Sequence, residues 1–198
     1  MVFSYYSYLS AAQKRTYRKS DEIKLGLPEN VRAGDLIREL EQTLGSEERA
    51  RTQTICQGLI DMLTNEFKVP RVNVVVLAVR PNNSEGELHG FYEPAEGAAA
   101  ARISIWMRTA QKRQVVAFKT FLRTLIHELC HHLDYELFQL AETFHTEGFY
   151  RRESTLVYAL LGQAASRTNS TLIEKSPRRQ FSASKLLNDL REKSSNSE

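Results

Sequence analysis

The residues in this sequence most able to do chemistry are His127, Glu128 and His131, which form an H-E-x-x-H motif. Residues four apart on an α-helix lie on one face, so both imidazoles can reach a single metal ion. Glu128 lies off that line and can reach a water molecule bound to the same ion. Two His ligands, a third protein ligand and an open water position describe a catalytic zinc site. The spacing therefore predicts one zinc ion per chain as the cofactor and Glu128 as the general base.

The segment around the motif has apolar residues at helical spacing. They are Phe118, Phe121, Leu122, Leu125, Ile126, Leu129 and Leu133. The two imidazoles project from nearly the opposite side, together with Thr120 and Thr124. This pattern predicts a helix over about 114–133 with one face in the core and the other lining a polar cleft. Cys130 points away from the ligand face, and we expect it to be buried.

The elements that must position this helix come before and after it. We expect helices over 30–44 and from about 46 to 67, then strands at 72–79, 89–92 and 102–107. A last helix is expected over about 148–162. The fold class is therefore α+β: N-terminal helices, a small and mostly antiparallel sheet of about three strands, the motif helix and a following C-terminal helix.

Composition and charge suggest one globular domain with two basic ends. The 198 residues are 41% hydrophobic and 26% charged, with a net charge of +3. We expect an N-terminal arm over 1–28, a catalytic domain over 29–163 and a basic, Ser-rich, partly disordered tail over 164–198. Basic ends can contact nucleic acid, although charges this sparse are more typical of a solvated surface.

The compartment is predicted from what the chain lacks. It has two cysteines, Cys56 and Cys130, which is too few for a disulfide framework and fits a reducing compartment. No apolar run approaches the ~20 residues of a membrane span. The first twelve residues have no basic segment of the kind that opens a signal peptide. We therefore expect a cytoplasmic protein without a membrane partner.

The order of these elements resembles zincin metallopeptidases, in particular compact SprT-like and minimal gluzincin domains. The resemblance covers about residues 70–162 and is carried by Gly90-Phe91-Tyr92, Arg102-Ile103-Ser104-Ile105 and Thr124-Leu125-Ile126-His127-Glu128-Leu129-Cys130-His131. In SprT-like proteins a third histidine follows the motif with an aromatic residue four positions later, and His145 and Phe149 match that spacing. The chain departs from that pattern at Thr146, where SprT-like proteins usually have Gly, and it has no later C-x-x-C pair.

The third metal ligand stays open among three residues. His145 would complete a three-histidine site. Glu147 lies in a Thr-Glu-Gly-Phe segment that resembles the Asn-Glu-Gly segment carrying the glutamate ligand of some gluzincins. Glu153 would fall on an apolar helix face, where a carboxylate is costly unless it is paired or bound to metal. It is therefore either a ligand or a partner that orients an imidazole.

The predicted function is a zinc-dependent metallopeptidase that acts on a peptide or protein substrate. Glu128 would take a proton from the metal-activated water and return it to the leaving amine. Zincins often bind substrate by strand addition to the strand before the motif helix, which implies residues 102–107 here. Tyr150, Tyr92 and His132 are candidates for oxyanion support, and the spacing does not choose among them. Asp134 is a candidate either for accepting a hydrogen bond from a ligand histidine or for capping the end of the helix. The alternative is a non-hydrolytic zinc-binding regulatory or interaction module on a zincin scaffold, which an intact Glu128 disfavours.

Overall fold

A computed structural model describes residues 3–83 and 86–174, with side chains described up to residue 166 except at 82–86. The chain divides into two compact units, Met1–Ser166 and Arg167–Glu198. The first unit contains every predicted site residue. Most of the tail predicted over 164–198 lies outside the described residues.

Four helical segments precede the sheet. They are a 3-10 helix (Ser4–Tyr8), α1 (Ala11–Glu22), α2 (Gly34–Gly45) and α3 (Arg49–Phe67). A reciprocal pair of hydrogen bonds between Ser10 and Gln13 caps the start of α1. Tyr17 and Ser20 of α1 are buried, so the segment predicted as an arm is packed against the rest of the unit.

The α+β class and the small three-stranded sheet are confirmed, but the sheet is mixed and not mostly antiparallel as predicted. The strands are β1 (Asn73–Val79), β2 (Asn82–Asn83), β3 (Gly86–Glu87), β4 (Gly90–Glu93) and β5 (Arg102–Arg108). The main sheet has the order β1-β5-β4, in which β5 is parallel to β1 and antiparallel to β4. The residues of β5 from 103 to 107 are all buried, which suits a central strand. β5 lies between the other two strands and runs in the same direction as β1.

The central position of β5 also overturns its predicted role as the substrate strand. One edge is paired with β1 along its length, and the other is paired with β4 over residues 102–105 and contacts Val115 and Val116 at its end. A peptide can add only to a strand with a free edge. Within the main sheet the free edge beside the motif helix belongs to β4.

The motif helix is α4 (Phe118–Glu136), and α5 (Glu147–Glu174) follows it. The helix begins later than the predicted residue 114 because residues 114–116 hydrogen-bond with the end of β5 instead. The predicted apolar stripe is confirmed from Phe121 onward, whereas Phe118 at its start is only partly buried. The residues that are at most 1% exposed are Phe121, Leu122, Leu125, Ile126, Leu129 and Leu133. This face packs on the sheet and leaves the opposite face for the site.

Among the described residues no helix has both the length and the apolar content for a membrane crossing.

Candidate metal centre

Three imidazoles meet at one point on the surface of α4. His127 and His131 come from adjacent turns of the helix, and His145 comes from the loop over 137–146 that joins α4 to α5. Their Nε2 atoms lie 3.0 Å apart between His127 and His145, 3.2 Å between His127 and His131, and 3.1 Å between His131 and His145. This cluster can hold a metal ion.

Glu153 determines which nitrogen of His127 carries its proton. Its Oε2 atom lies 2.8 Å from His127 Nδ1, and its Oε1 atom accepts a 2.6 Å hydrogen bond from Arg123 Nη1. A carboxylate only accepts hydrogen bonds, so Nδ1 carries the proton and Nε2 presents a lone pair to the cluster. Of the two roles open to Glu153, the geometry matches the partner that orients an imidazole.

A two-step hydrogen-bond relay plays the same part for His131. Thr143 Oγ1 donates to Asp134 Oδ2 over 2.8 Å, so the hydroxyl must accept the proton of His131 Nδ1, which lies 2.8 Å away. Asp134 is fully buried and also accepts a 2.7 Å hydrogen bond from Arg152. The acceptor role expected of Asp134 is therefore exerted through Thr143. The Nε2 atom of His131 is left unprotonated as well.

The donor set fits a divalent cation. Two unprotonated Nε2 atoms 3.2 Å apart repel each other unless a positive charge lies between them. A tetrahedral zinc ion, with Zn–N bonds of about 2.0–2.1 Å, separates its nitrogen ligands by about 3.3 Å. Burial and the neighbouring His127 lower the pKa of His145 and lower that of His131 to about 3, with His145 also acting on His131. Both rings are therefore neutral near pH 7, as metal ligands must be.

Glu128 lies beside this cluster in a cavity of about 310 Å³. The carboxylate is 6% exposed, and its burial raises its pKa to about 7, against the opposing effects of His127 and of the Tyr92 backbone N–H. The backbone of β4 passes very close to it. A Cβ at Gly90 would lie 2.9 Å from Glu128 Cδ and 2.7 Å from Thr124 Cγ2, so a larger residue there would displace these side chains. The cavity is lined by Gly90, Phe91, Tyr92, Pro94, His127, Glu128, His131, Tyr135, Thr143 and His145.

Two other predicted residues lie close by but outside this cavity. Glu147 is the first residue of α5, and with Tyr150 it lines a neighbouring groove. The ring of Tyr150 stacks against His145 with 5.8 Å between centroids. The cavity that holds Glu128 is lined instead by Tyr92 and Tyr135. The oxyanion role of Tyr150 stays a prediction.

Sequence reasoning missed three residues of this site. Thr143 lies in an irregular loop, and no spacing rule relates it to His131. Arg123 shares the ligand face of α4 one turn before His127, but an exposed arginine at that spacing is common. Arg152, one residue before Glu153, is 1% exposed, and only the packed structure shows that burial.

Cys130 is buried as predicted, and its burial raises the pKa of its thiol.

The site is defined by three converging imidazoles, the carboxylates that orient two of them, and a third carboxylate in the adjoining cavity. Neither a scan against models of protein families nor searches of curated proteins and of solved structures find a match to this chain. The resemblance to zincin domains therefore rests on the motif and its spacing.

Proposed function

We propose that this chain is a zinc-dependent metallopeptidase that hydrolyses peptide bonds. The observation that carries the proposal is the convergence of three imidazoles, His127, His131 and His145, beside the buried carboxylate of Glu128. When bound there, zinc lowers the pKa of water to about 7 and polarises a carbonyl oxygen.

Glu128 is the group of this chain that moves protons. Its carboxylate takes a proton from the attacking water as the C–O bond forms, and it delivers that proton to the amine as the C–N bond breaks. A general base works best when its pKa is near the operating pH, and burial raises the pKa of Glu128 to about 7. The close approach of Gly90 holds the carboxylate from one side.

An extended peptide or protein segment is the substrate that suits the cavity. The edge strand β4 forms one wall, and alternate residues of such a strand direct backbone N–H and C=O groups outward. A substrate strand can pair with these groups while its scissile bond lies over the cluster. Phe91 is 48% exposed on β4, and with Pro94 and Tyr135 it makes the cavity walls largely apolar. These walls favour substrates with uncharged side chains next to the cleaved bond.

Two features bear on compartment and partners. Both cysteines are free and buried, which supports the proposal of a cytoplasmic, reducing environment.

In the basic N-terminal segment Lys14 and Lys19 donate to backbone carbonyls and Arg18 donates to a tyrosine hydroxyl. These contacts favour a structural use of the cations over nucleic-acid binding.

The competing function is a zinc-binding module that does not hydrolyse anything. A module that only needs the metal has no use for a buried carboxylate in the same cavity as the imidazoles, and the position of Glu128 disfavours this alternative. Glu128→Gln distinguishes the two functions. We expect this variant to retain zinc, measured by mass spectrometry, and to cleave unfolded casein about 10²–10⁴-fold more slowly.

The matched control is Glu66→Gln, on α3 and outside the cavity, which should leave both readouts unchanged. If Glu128→Gln cleaves as fast as the parent protein, the peptidase proposal is wrong. If the parent binds one zinc ion and cleaves nothing, the module is favoured instead.

A further inference from the structure

His145 differs from the other two imidazoles in how its backbone is held. His127 and His131 are fixed by the hydrogen bonds of a single helix, whereas His145 lies in the irregular loop over 137–146. A ligand must be held within about 0.5 Å of its binding position to contribute fully. The loop therefore depends on contacts from outside itself. Besides those with α4 and α5, which it joins, the described residues include contacts from the N-terminal segment, residues 3–23.

These contacts are spread along the whole loop. Lys19 Nζ donates to the Phe138 carbonyl over 3.1 Å, Gln13 Nε2 to Glu142 Oε2 over 3.0 Å, and Tyr5 O–H to the His145 carbonyl over 3.1 Å. Between the last two, the rings of Tyr17 and Phe144 lie 6.1 Å apart. The segment thus contacts the loop at its start, in its middle and at the ligand itself.

The first turn of α5, directly after the loop, is anchored to the end of α1. Asp21 Oδ1 accepts a 2.7 Å hydrogen bond from the Gly148 N–H, which satisfies one of the free donors at the start of the helix. Arg151 donates to the Asp21 carbonyl over 2.7 Å. The two backbones touch: a Cβ at Gly148 would lie 2.6 Å from both the Cα and the carbonyl carbon of Asp21.

The same end of α1 is also tied to the His131 relay. The buried Arg152 donates to the Ser20 carbonyl over 2.5 Å and to Ser20 Oγ over 3.1 Å. Its guanidinium also holds Asp134, the acceptor of the Thr143 hydroxyl. One end of α1 therefore contacts the start of α5 and is linked through Arg152 to the relay that orients His131.

We propose that residues 3–23 form a brace that positions His145 for metal binding. Within the brace, Tyr5 and Asp21 are positioning residues that act through the backbone of residues 145–148, and Gly148 is the point of closest contact. The inference rests on the proposed function in one respect, because it takes His145 to be a metal ligand.

Two glycines of α5 supply the first test. Alanine is a better helix former than glycine, so neither Gly148→Ala nor Gly162→Ala should weaken the helix through its local propensity. They differ in space, because a Cβ at Gly162 meets nothing within 4 Å while one at Gly148 collides with Asp21. We expect Gly148→Ala to lower the zinc affinity, measured by competition with a chromogenic chelator, about tenfold or more. Gly162→Ala should bind zinc like the parent.

The second test uses the side chain of Asp21. Asp21→Ala removes the acceptor of the Gly148 N–H, whereas Asp21→Asn keeps an oxygen at that place and should restore the affinity. We expect Asp21→Ala to weaken zinc binding, to change the visible spectrum of the cobalt-substituted protein, and to speed amide exchange over 137–146. The control is Gln57→Ala, which removes two hydrogen bonds to the backbone next to and in β1. It should lower thermal stability without changing the zinc affinity or the cobalt spectrum.

The outcomes separate this inference from the proposed function. If the parent binds zinc and both Gly148→Ala and Asp21→Ala bind it equally well, the brace is refuted and the metal site stands. The same holds if Gln57→Ala weakens zinc binding as much as Asp21→Ala does. If the parent binds no zinc, the proposed function fails and the brace with it.

Discussion

The hydrogen-bond relay to His131 can be broken by one nearly isosteric substitution, Thr143→Val. In the parent the hydroxyl accepts from His131 Nδ1 and donates to Asp134 Oδ2, each over 2.8 Å. Valine keeps the shape of the side chain and removes both hydrogen bonds. His131 then has an N–H without its acceptor, and Asp134 retains Arg152. We therefore expect the imidazole to lose both its fixed tautomer and its orientation.

Two magnitudes can be assigned to this substitution. Loss of a partner that orients a metal-bound histidine costs about 10–100-fold in metal affinity, or about 1.4–2.8 kcal/mol. Leaving a buried donor without an acceptor costs about 1–3 kcal/mol of folding stability in the metal-free protein. Competition titration with zinc measures the first quantity, and urea unfolding of the metal-free protein measures the second.

Two control variants test whether loss of the Thr143 hydroxyl is what weakens zinc binding. Thr143→Ser keeps the hydroxyl and should bind zinc within about threefold of the parent, since the relay stays intact. Thr155→Val removes a threonine hydroxyl that, among the described residues, donates to the backbone carbonyl of Arg151 on its own helix, and it should leave the zinc affinity unchanged. The relay is refuted if Thr143→Val binds zinc within about twofold of the parent, or if the serine variant is as weak as the valine variant.

Two other predictions address the base and the pH dependence of the site. Gly90→Ala places a Cβ against Glu128, so kcat should fall about tenfold to hundredfold while the zinc content stays unchanged. The control is Gly58→Ala, whose Cβ meets nothing within 4 Å, and it should have the kcat of the parent. The pKa of His131 is lowered to about 3 and that of His145 is lowered as well, so protons compete with the metal less than they do at imidazoles of ordinary pKa. Zinc affinity should therefore fall less than about tenfold from pH 7.5 to 6.0, and a fall of about fiftyfold, as for three imidazoles of ordinary pKa, would contradict this explanation.

The sequence determined those parts of the site that depend on local geometry. The spacing of His127 and His131 is a property of one helix, and the apolar stripe of α4 requires its opposite face to look outward. Both features depend only on neighbours within a few turns, so they could be predicted from the chain. The positions of the three long strands were close for the same reason, since side-chain alternation is local.

Only the tertiary structure decided which distant elements meet. Strand order depends on which strand is buried on both faces, so the central β5 and the parallel β1 pair could not be deduced from local patterns. The choice among His145, Glu147 and Glu153 depends on how α5 packs against α4, which brings the imidazole of His145 into the cluster and the carboxylate of Glu153 behind His127.

The same reason applies to the relay and the brace. Thr143 lies 12 residues from His131, and Asp21 lies 127 residues from Gly148. Hydrogen bonds over such separations form only when packing has already brought the chain segments together, and no periodicity along the chain records them. The motif therefore supplies His127, Glu128 and His131. The contacts that orient these side chains and their neighbours come from segments that are far apart in the sequence.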